Sequence, residues 1–361
     1  MKNTVRRKYK SDDTLSLLRS EIVSGKYRSG TFLPPERTLA ESLGISRGTL
    51  RKILKELHNE SLLRVNPGKG AYVIYGRNER KGLRRFLVRF PGVDPKNRAT
   101  EAVGGLLGIC SAASRLHAET LISFAGSGPS SASEIISAFS SDEIQGVLFF
   151  EDCDYEKEIV PLEKAGVPYV VINLEKDIPA VAAKMDCRAV GRIAGKHLIS
   201  LGHKNIAVLA GPFDMGNTIY REMLAGFRGA LAEEEITLKK ELIIEAFSGT
   251  ESAHVKSLEI LKKTGSRPTA FFTMRDYRAR GLYAACKELN MKIPEDISVI
   301  SYDNITWPSA ENSGLTTVRE QVEEMGEAAV EMLAEWVESG KKPENCLMPG
   351  ELIMRSSTLK I

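Results

Sequence analysis

The sequence predicts two folds in one chain: a small α+β head over residues 1–76 and a larger α/β body of parallel sheets over residues 84–361, joined by a linker at 77–83. Three observations carry this. The charge balance changes sign at the boundary: residues 1–76 hold 15 Lys and Arg against seven Asp and Glu, and the remainder holds 35 against 40. The linker is polar and bracketed by Gly76 and Gly82. Beyond it, short apolar runs alternate with amphipathic stretches, the pattern of strands and helices in turn. A basic small segment on an acidic large one marks the first as the part that meets a polyanion, although a solvated charged face gives the same count.

In the head, Asp12 and Asp13 can cap a helix with Leu15, Leu18 and Ile22 at helical spacing. Residues 25–30 break it. Pro34 and Pro35 stand where the first turn of a second helix tolerates proline, Leu39 and Leu43 give its buried side, and Gly44 ends it. Ser46 can cap a third helix, whose Leu50, Ile53, Leu54 and Leu57 face inward while Arg47, Arg51, Lys52 and Lys55 face out. Two helices joined by a short glycine-containing turn, the second basic, read as helix-turn-helix. The runs 63–65 and 71–74, separated by Asn66-Pro67-Gly68-Lys69-Gly70, read as a hairpin with a glycine-rich tip, a wing.

In the body, strands are expected at 85–90, 120–124, 146–150, 169–173, 206–210, 242–246, 270–274 and 297–302. Helices are expected at 98–116, 155–165, 189–201, 220–234, 252–264, 278–289 and 318–339. Alternation of this kind gives parallel sheets covered on both faces, and ligands of such folds sit at the carboxyl ends of the strands.

The run from Gly25 through Pro34-Pro35-Glu36-Arg37 to Ala40 resembles the opening of the GntR-type winged-helix head. Ile45-Ser46-Arg47-Gly48-Thr49-Leu50-Arg51 is similar to the start of its recognition helix, and Gly68-Lys69-Gly70-Ala71-Tyr72-Val73 to its wing. The resemblance implies that the third helix enters the major groove of double-stranded DNA and that Arg37, Ser46, Arg47, Thr49, Arg51, Gly68 and Lys69 touch it. The chemistry agrees: an Arg fork can hold guanine O6 and N7 together, and hydroxyls at a helix start suit phosphates. Gly48 departs from the family, removing one contact.

Residues 84–361 resemble the periplasmic-binding-protein-like core of LacI-type regulators. The match runs through Asp186–Gly191 in sequence, Ala194, His197-Leu198, Gly202-His203, Gly226-Phe227, residues 297–304, Leu315-Thr316-Thr317-Val318 and Met325-Gly326. With the GntR-type head, this pairing is similar to the arabinose-repressor class. The implied fold is a winged helix-turn-helix plus a type I core of two lobes with parallel sheets, lobe one about 84–186 and 320–348, lobe two about 187–319 and 349–361. The implied function is a homodimeric repressor of carbohydrate-utilisation genes. It binds a near-palindromic operator, and a sugar or sugar derivative in the cleft alters that binding.

The family's cleft carboxylate corresponds to Asp303. Its anchoring Arg, three residues before the Gly-Phe pair, is replaced by Met223, with Arg221 two residues earlier. Its Asn after the strand 270–274 corresponds to Arg275, followed by the expected Asp276. Arg275 therefore either reads a ligand anion or pairs with Asp303 or Asp276 to order the strand end. Trp307 and Phe90 are candidates to stack on a sugar face, or simply core; Asp94 and Asn97 follow the first strand and can line the cleft.

Other readings are weaker. Nothing approaches the ~18 apolar residues of a membrane span, the basic N-terminus lacks a signal peptide's apolar stretch, and five scattered Cys make no disulfide framework. A cytoplasmic protein without cofactor or metal is expected. Gly44-Ile45-Ser46-Arg47-Gly48 matches a hydrolase elbow but lacks the strand before Ser46. Residues 191–196 fall short of a P-loop, and His197 with His203 has no ligand-spaced partner. Asn304-Ile305-Thr306 is a glycosylation sequon without meaning in the cytoplasm. The rival functions are a transport-type sugar-binding protein, an enzyme fused to a winged helix, and a regulator whose cleft has lost its ligand.

Overall fold

The computed structural model describes residues 2–361 apart from 25, 28–30, 61, 67–69, 74–83, 91–98, 125–130, 152, 214–217, 248, 264–266 and 306–313, and it describes no side chains for 2–12, 64, 66, 99–102 and 124. The chain divides into two compact units, Met1–Leu83 and Arg84–Ile361. The linker expected at 77–83 lies outside the described residues, as do Asp94 and Asn97.

The first unit contains α1 (Lys2–Val23), α2 (Glu36–Ser42) and α3 (Arg47–Asn59), followed by β1 (Leu63–Asn66) and β2 (Gly70–Val73), which pair antiparallel. Gly44 ends α2 in the left-handed region at φ 62, a conformation that costs a side-chain-bearing residue about 1 kcal/mol or more. Ser46 then caps α3, its hydroxyl oxygen accepting the backbone N–H of Thr49 at 3.1 Å. Leu50, Ile53, Leu54 and Leu57 form one stripe of α3 and close with Leu18, Ile22, Leu39 and Val73 on a single core. Leu33 donates its N–H to Ala71, which ties the segment before α2 to the hairpin. One expectation is corrected here: α1 starts at Lys2, so Asp12 and Asp13 lie within it instead of capping it. Residues 2–11 contain neither Gly nor Pro, so nothing in them stops the helix earlier.

In chain order the second unit contains β3 (Arg85–Phe90), α4 (Ala99–Arg115), β4 (Glu119–Phe124), α5 (Ala132–Ser140), β5 (Gly146–Phe150), α6 (Val160–Lys164), β6 (Tyr169–Ile172) and β7 (Ala182–Met185). These are followed by α7 (Cys187–Ser200), β8 (Ile206–Ala210), α8 (Ile219–Glu233), β9 (Ile243–Glu245), α9 (Gly249–Leu261), β10 (Ala270–Thr273), α10 (Asp276–Glu288) and β11 (Ser298–Asp303). Last come β12 (Thr316–Arg319), α11 (Val322–Ser339), β13 (Cys346–Met348) and β14 (Glu351–Ile353).

Two six-stranded sheets result, ordered β4-β3-β5-β6-β7-β13 and β9-β8-β10-β11-β12-β14. Among the described residues every pairing in these sheets is parallel except β12 with β14. Helices cover both faces, so β5, β6, β8, β10 and β11 are buried at every position. That double burial is why they appear in sequence as continuous apolar runs rather than alternating ones. The chain passes between the sheets three times: after β7, after β12 and between β13 and β14.

The strands β7, β12, β13 and β14 were not expected from the sequence, nor was α5. The four strands are short, and β12 carries two threonines where an apolar run would have marked it. The helix expected from residue 318 begins at Val322, because Val318 is spent on β12 between β11 and β14. The helix α5 had a legible start: Ser131 and Glu134 form a reciprocal capping box.

The glycines of the α7–α8 pair are packing devices. A Cβ on Gly191 would lie 1.9 Å from the Met223 carbonyl oxygen, and one on Gly226 would lie 1.9 Å from that of Arg188. Both obstacles are backbone, which cannot rotate away. Gly191→Ala is expected to destabilise the protein by about 1–3 kcal/mol through overpacking. Urea unfolding of the full chain measures this, and an unchanged midpoint would show that the helices separate at no cost.

Candidate DNA interface and interlobe site

The amino end of α3 brings four of the expected head residues together. Ser46 and Thr49 share a hydroxyl–hydroxyl hydrogen bond of 2.8 Å. The Arg47 and Arg51 side chains are 61% and 63% exposed, and both converge on Glu36, Arg51 Nε at 2.9 Å and Arg47 Nη2 at 3.7 Å from the same carboxylate oxygen. Arg37 points away to Glu41 at 3.2 Å. Gly68 and Lys69 lie outside the described residues. Glu36 was missed in sequence. The signal was present, since it opens α2 directly after Pro35, but only the fold places it fifteen residues away against Arg51. Two exposed guanidinium forks, steadied by one carboxylate beside a capped helix start, can meet base edges and phosphates together.

In the second unit, the distinctive backbone lies at the carboxyl ends of strands from both sheets. Glu151 after β5 and Asn173 after β6 have φ of 65° and 57°; Arg275 after β10, Asp303 closing β11 and Asn304 beyond it have φ of 107°, 128° and 69°. Residues with side chains in such conformations cost about 1–3 kcal/mol each and persist where the surroundings demand them.

Arg275 stands at the centre. Its Nη1 donates to Asp303 Oδ1 at 2.9 Å and lies 3.9 Å from Glu320 Oε2, while Nη2 donates to Glu175 Oε1 at 2.5 Å. Its guanidinium also lies 5.4 Å from the centre of the Tyr302 ring. Glu175 follows β6 in the first sheet and Arg275 follows β10 in the second, so one side chain bridges the lobes. Tyr302 donates its hydroxyl to Glu320 Oε1 at 2.9 Å. The Asp276 N–H donates to Asp303 Oδ2 at 3.3 Å, and its own carboxylate accepts from Ile305 N–H and the Thr317 hydroxyl.

Burial alone would lower the Arg275 guanidinium, but Asp303, Glu175 and Glu320 outweigh it and hold the charge firmly. Burial pushes the Glu320 carboxyl up against the pull of Arg275, and Glu175 and Glu151 push it the same way. Burial also raises Asp276 to about 6, against hydrogen bonds from Ser301, Ile305 and Thr317.

Of the residues expected at the cleft, Arg275, Asp276 and Asp303 are brought together. Of the pairings open to Arg275 in sequence, the structure makes the one to Asp303 and adds Glu175. Phe90 is buried in the core of the first sheet, its ring 5.0 Å from Phe150. Arg221 is exposed on α8 and joins none of these hydrogen bonds, whereas Met223 is fully buried. Trp307 lies outside the described residues. Glu175, Glu320 and Tyr302 were missed, because their partners are distant in sequence and no motif contains them. So was Arg278, 2% exposed, which donates to the carbonyls of Met274 and Ala246 and to the Tyr220 hydroxyl. Among the described residues no group of three His, Cys, Asp or Glu is placed to hold a metal, and no helix is long and apolar enough to cross a membrane.

Residues 10–73 match the model of the bacterial regulatory proteins of the gntR family, and residues 196–358 match that of the periplasmic binding protein-like domain. The arabinose metabolism transcriptional repressor of Geobacillus stearothermophilus is 27% identical over 95% of both chains. Among solved structures, a complex of the transcriptional regulator CelR with cellobiose covers 90% of this chain and all of that one, at TM-score 0.61 and 21% identity. The lac repressor dimer bound to operator and an anti-inducer covers 79% of this chain and 98% of that one, at TM-score 0.61 and 23% identity.

Proposed function

From a chain that joins a GntR-family regulatory head to a periplasmic-binding-protein-like body, we propose a sequence-specific transcriptional regulator that represses carbohydrate-utilisation genes and senses a sugar or sugar derivative between its two lobes. The observation that carries the DNA half is the exposed Arg47–Arg51 pair at the Ser46-capped start of α3. In this reading α3 lies in the major groove, β1 and β2 belong to a wing whose Gly68 and Lys69 contact the minor groove or backbone, and Arg37, Ser46 and Thr49 hold phosphates. The protein acts in the cytoplasm as a homodimer, each copy reading one half of a near-palindromic site.

The sensing half is supported by strained residues from both sheets converging on Arg275, and by the sugar-related names of the relatives. A ligand that favours one lobe arrangement shifts the spacing of the heads and so the operator affinity; operator must then change ligand affinity by the same factor. A transport-type binding protein, the rival reading, has no use for the basic head.

Selection of bound sequences from random duplex DNA, followed by anisotropy titration with and without arabinose, ribose and cellobiose, tests this reading. A half-site repeat released by one sugar supports it. Failure to enrich any sequence overturns the DNA half.

Glu36 makes a separate prediction. It holds both recognition arginines while adding a negative charge beside DNA. Glu36→Gln is expected to raise affinity for random DNA by a few fold while lowering the preference for operator by about tenfold, at fixed salt. Parallel titrations on operator and scrambled duplex measure this; an unchanged ratio would mean that Glu36 does not position the arginines.

A further inference from the structure

We propose that the Arg275–Glu175 ion pair is a latch that holds the two lobes together before any ligand arrives. Each end is mounted firmly on its own lobe. On the second sheet, the Met274 N–H donates to the Leu209 carbonyl of β8, and the Arg275 carbonyl accepts the Arg278 N–H of α10. The guanidinium is steadied from the same lobe, with Nη1 on Asp303 Oδ1 at 2.9 Å and the Tyr302 ring 5.4 Å away. On the first sheet, the Asn173 N–H donates to the Ala183 carbonyl at 2.9 Å and Leu174 is buried in the core, so the backbone is anchored directly before Glu175. Between these two mounts, Nη2 donates to Glu175 Oε1 at 2.5 Å.

The place of the pair in the sheets gives it leverage. The three crossings between the lobes are tied to one another: the Asp186 N–H donates to the Met348 carbonyl at 2.7 Å, and the Gly350 N–H to Gln321 Oε1 at 2.9 Å. They leave from β7, β12 and β13, at one side of both sheets, whereas Glu175 and Arg275 follow β6 and β10, further in. A turn of the lobes about the tied crossings therefore pulls on this contact.

The two side chains are 8% and 19% exposed, so salt screens their attraction weakly while the lobes meet. Once the lobes part, each charge regains water and the attraction falls to that of a surface pair. Such a contact selects between two arrangements, the use in which buried ion pairs are best attested. A ligand entering between the lobes must open the pair or take over one end of it; what this does at the operator rests on the regulator reading above.

Fluorescence energy transfer within the full chain, without added ligand, tests the latch. Dyes are coupled to azide-bearing residues that replace Lys157 and Arg221, exposed positions on the first and second lobes, and the labelled protein is diluted with unlabelled chain. Glu175→Ala is expected to lengthen the mean separation by more than about 2 Å, the scale of domain rearrangements. Arg275→Lys should do the same, because a single ammonium lacks the second arm of the fork that reaches Glu175. The double variant should go no further than either alone. An unchanged separation in Glu175→Ala overturns the latch. A shift in Glu175→Ala that Arg275→Lys fails to reproduce also overturns it, since the hold then belongs to another contact of Glu175. Should Arg275→Lys not fold, Glu175→Arg takes its place and must part the lobes further than Glu175→Ala. Operator titration of Glu175→Ala tells the two readings apart: a changed separation with unmoved operator affinity leaves the latch standing and removes its coupling to DNA.

Discussion

Arg51→Ala is expected to weaken binding to the selected operator by about 10- to 100-fold, and to do so much less on scrambled duplex. The magnitude follows from the fork: a bidentate contact to a base edge is worth about 1–3 kcal/mol of discrimination. The fold should not change. Arg51 is 63% exposed, its described partner is Glu36, and surface substitutions of this kind stay within about 0.5 kcal/mol. The two sequences must be compared at one salt concentration, because phosphate contacts alone change affinity steeply with salt. An equal loss on both duplexes would reassign Arg51 from base reading to the phosphate backbone. Arg37→Ala supplies the contrast. Arg37 pairs with Glu41, away from the recognition arginines, so its loss should weaken both duplexes alike and flatten the salt dependence.

The head was legible because its information is local. The helix stripe 50–53–54–57, the Ser46 cap and the Gly44 turn all lie within about four residues of what they act on, the range over which a helix is specified. The central strands of the body were legible for another reason: burial on both faces makes them continuous apolar runs. The edge strands β13 and β14 lack that signature, with exposed or half-exposed residues throughout. At the cleft, Asp303 and Arg275 were found through the resemblance and their positions at strand ends. Their partners were not. Glu175 is 100 residues from Arg275, and Glu320 reaches Tyr302 only because β12 runs beside β11. Nothing in the sequence around a lone Glu tells a solvated carboxylate from one buried against a guanidinium in another lobe. The sequence left Arg275 either reading a ligand anion or pairing with Asp303 or Asp276; the fold spends its charge on Asp303 and Glu175.

That consumed charge makes Arg275→Met the variant with the largest expected effect on stability. The side chains of Asp303 and Glu320 are each 2% exposed and that of Glu175 is 19% exposed, and all three lie against the Arg275 guanidinium. Removing one member of a buried ion pair costs about 3–5 kcal/mol, since the remaining charge stays buried without compensation. For a domain of this size each kcal/mol moves the melting temperature by about 2–4 °C, so a loss on the order of 10 °C is expected. The pH dependence separates charge from lost packing. Without Arg275 the buried carboxylates are raised above their unfolded values, so the folded form holds protons that the unfolded form releases. The variant is then relatively most stable below pH 4, and its deficit grows as pH rises through the raised values. The gap from the parent should therefore be wide at pH 8 and narrow at pH 5. Arg275→Met with Asp303→Asn should recover part of the loss, because it removes a buried charge rather than adding contacts. A gap that stays constant from pH 5 to 8 would show that Arg275 contributes through packing on Tyr302, and the electrostatic account of the cleft would fail with it.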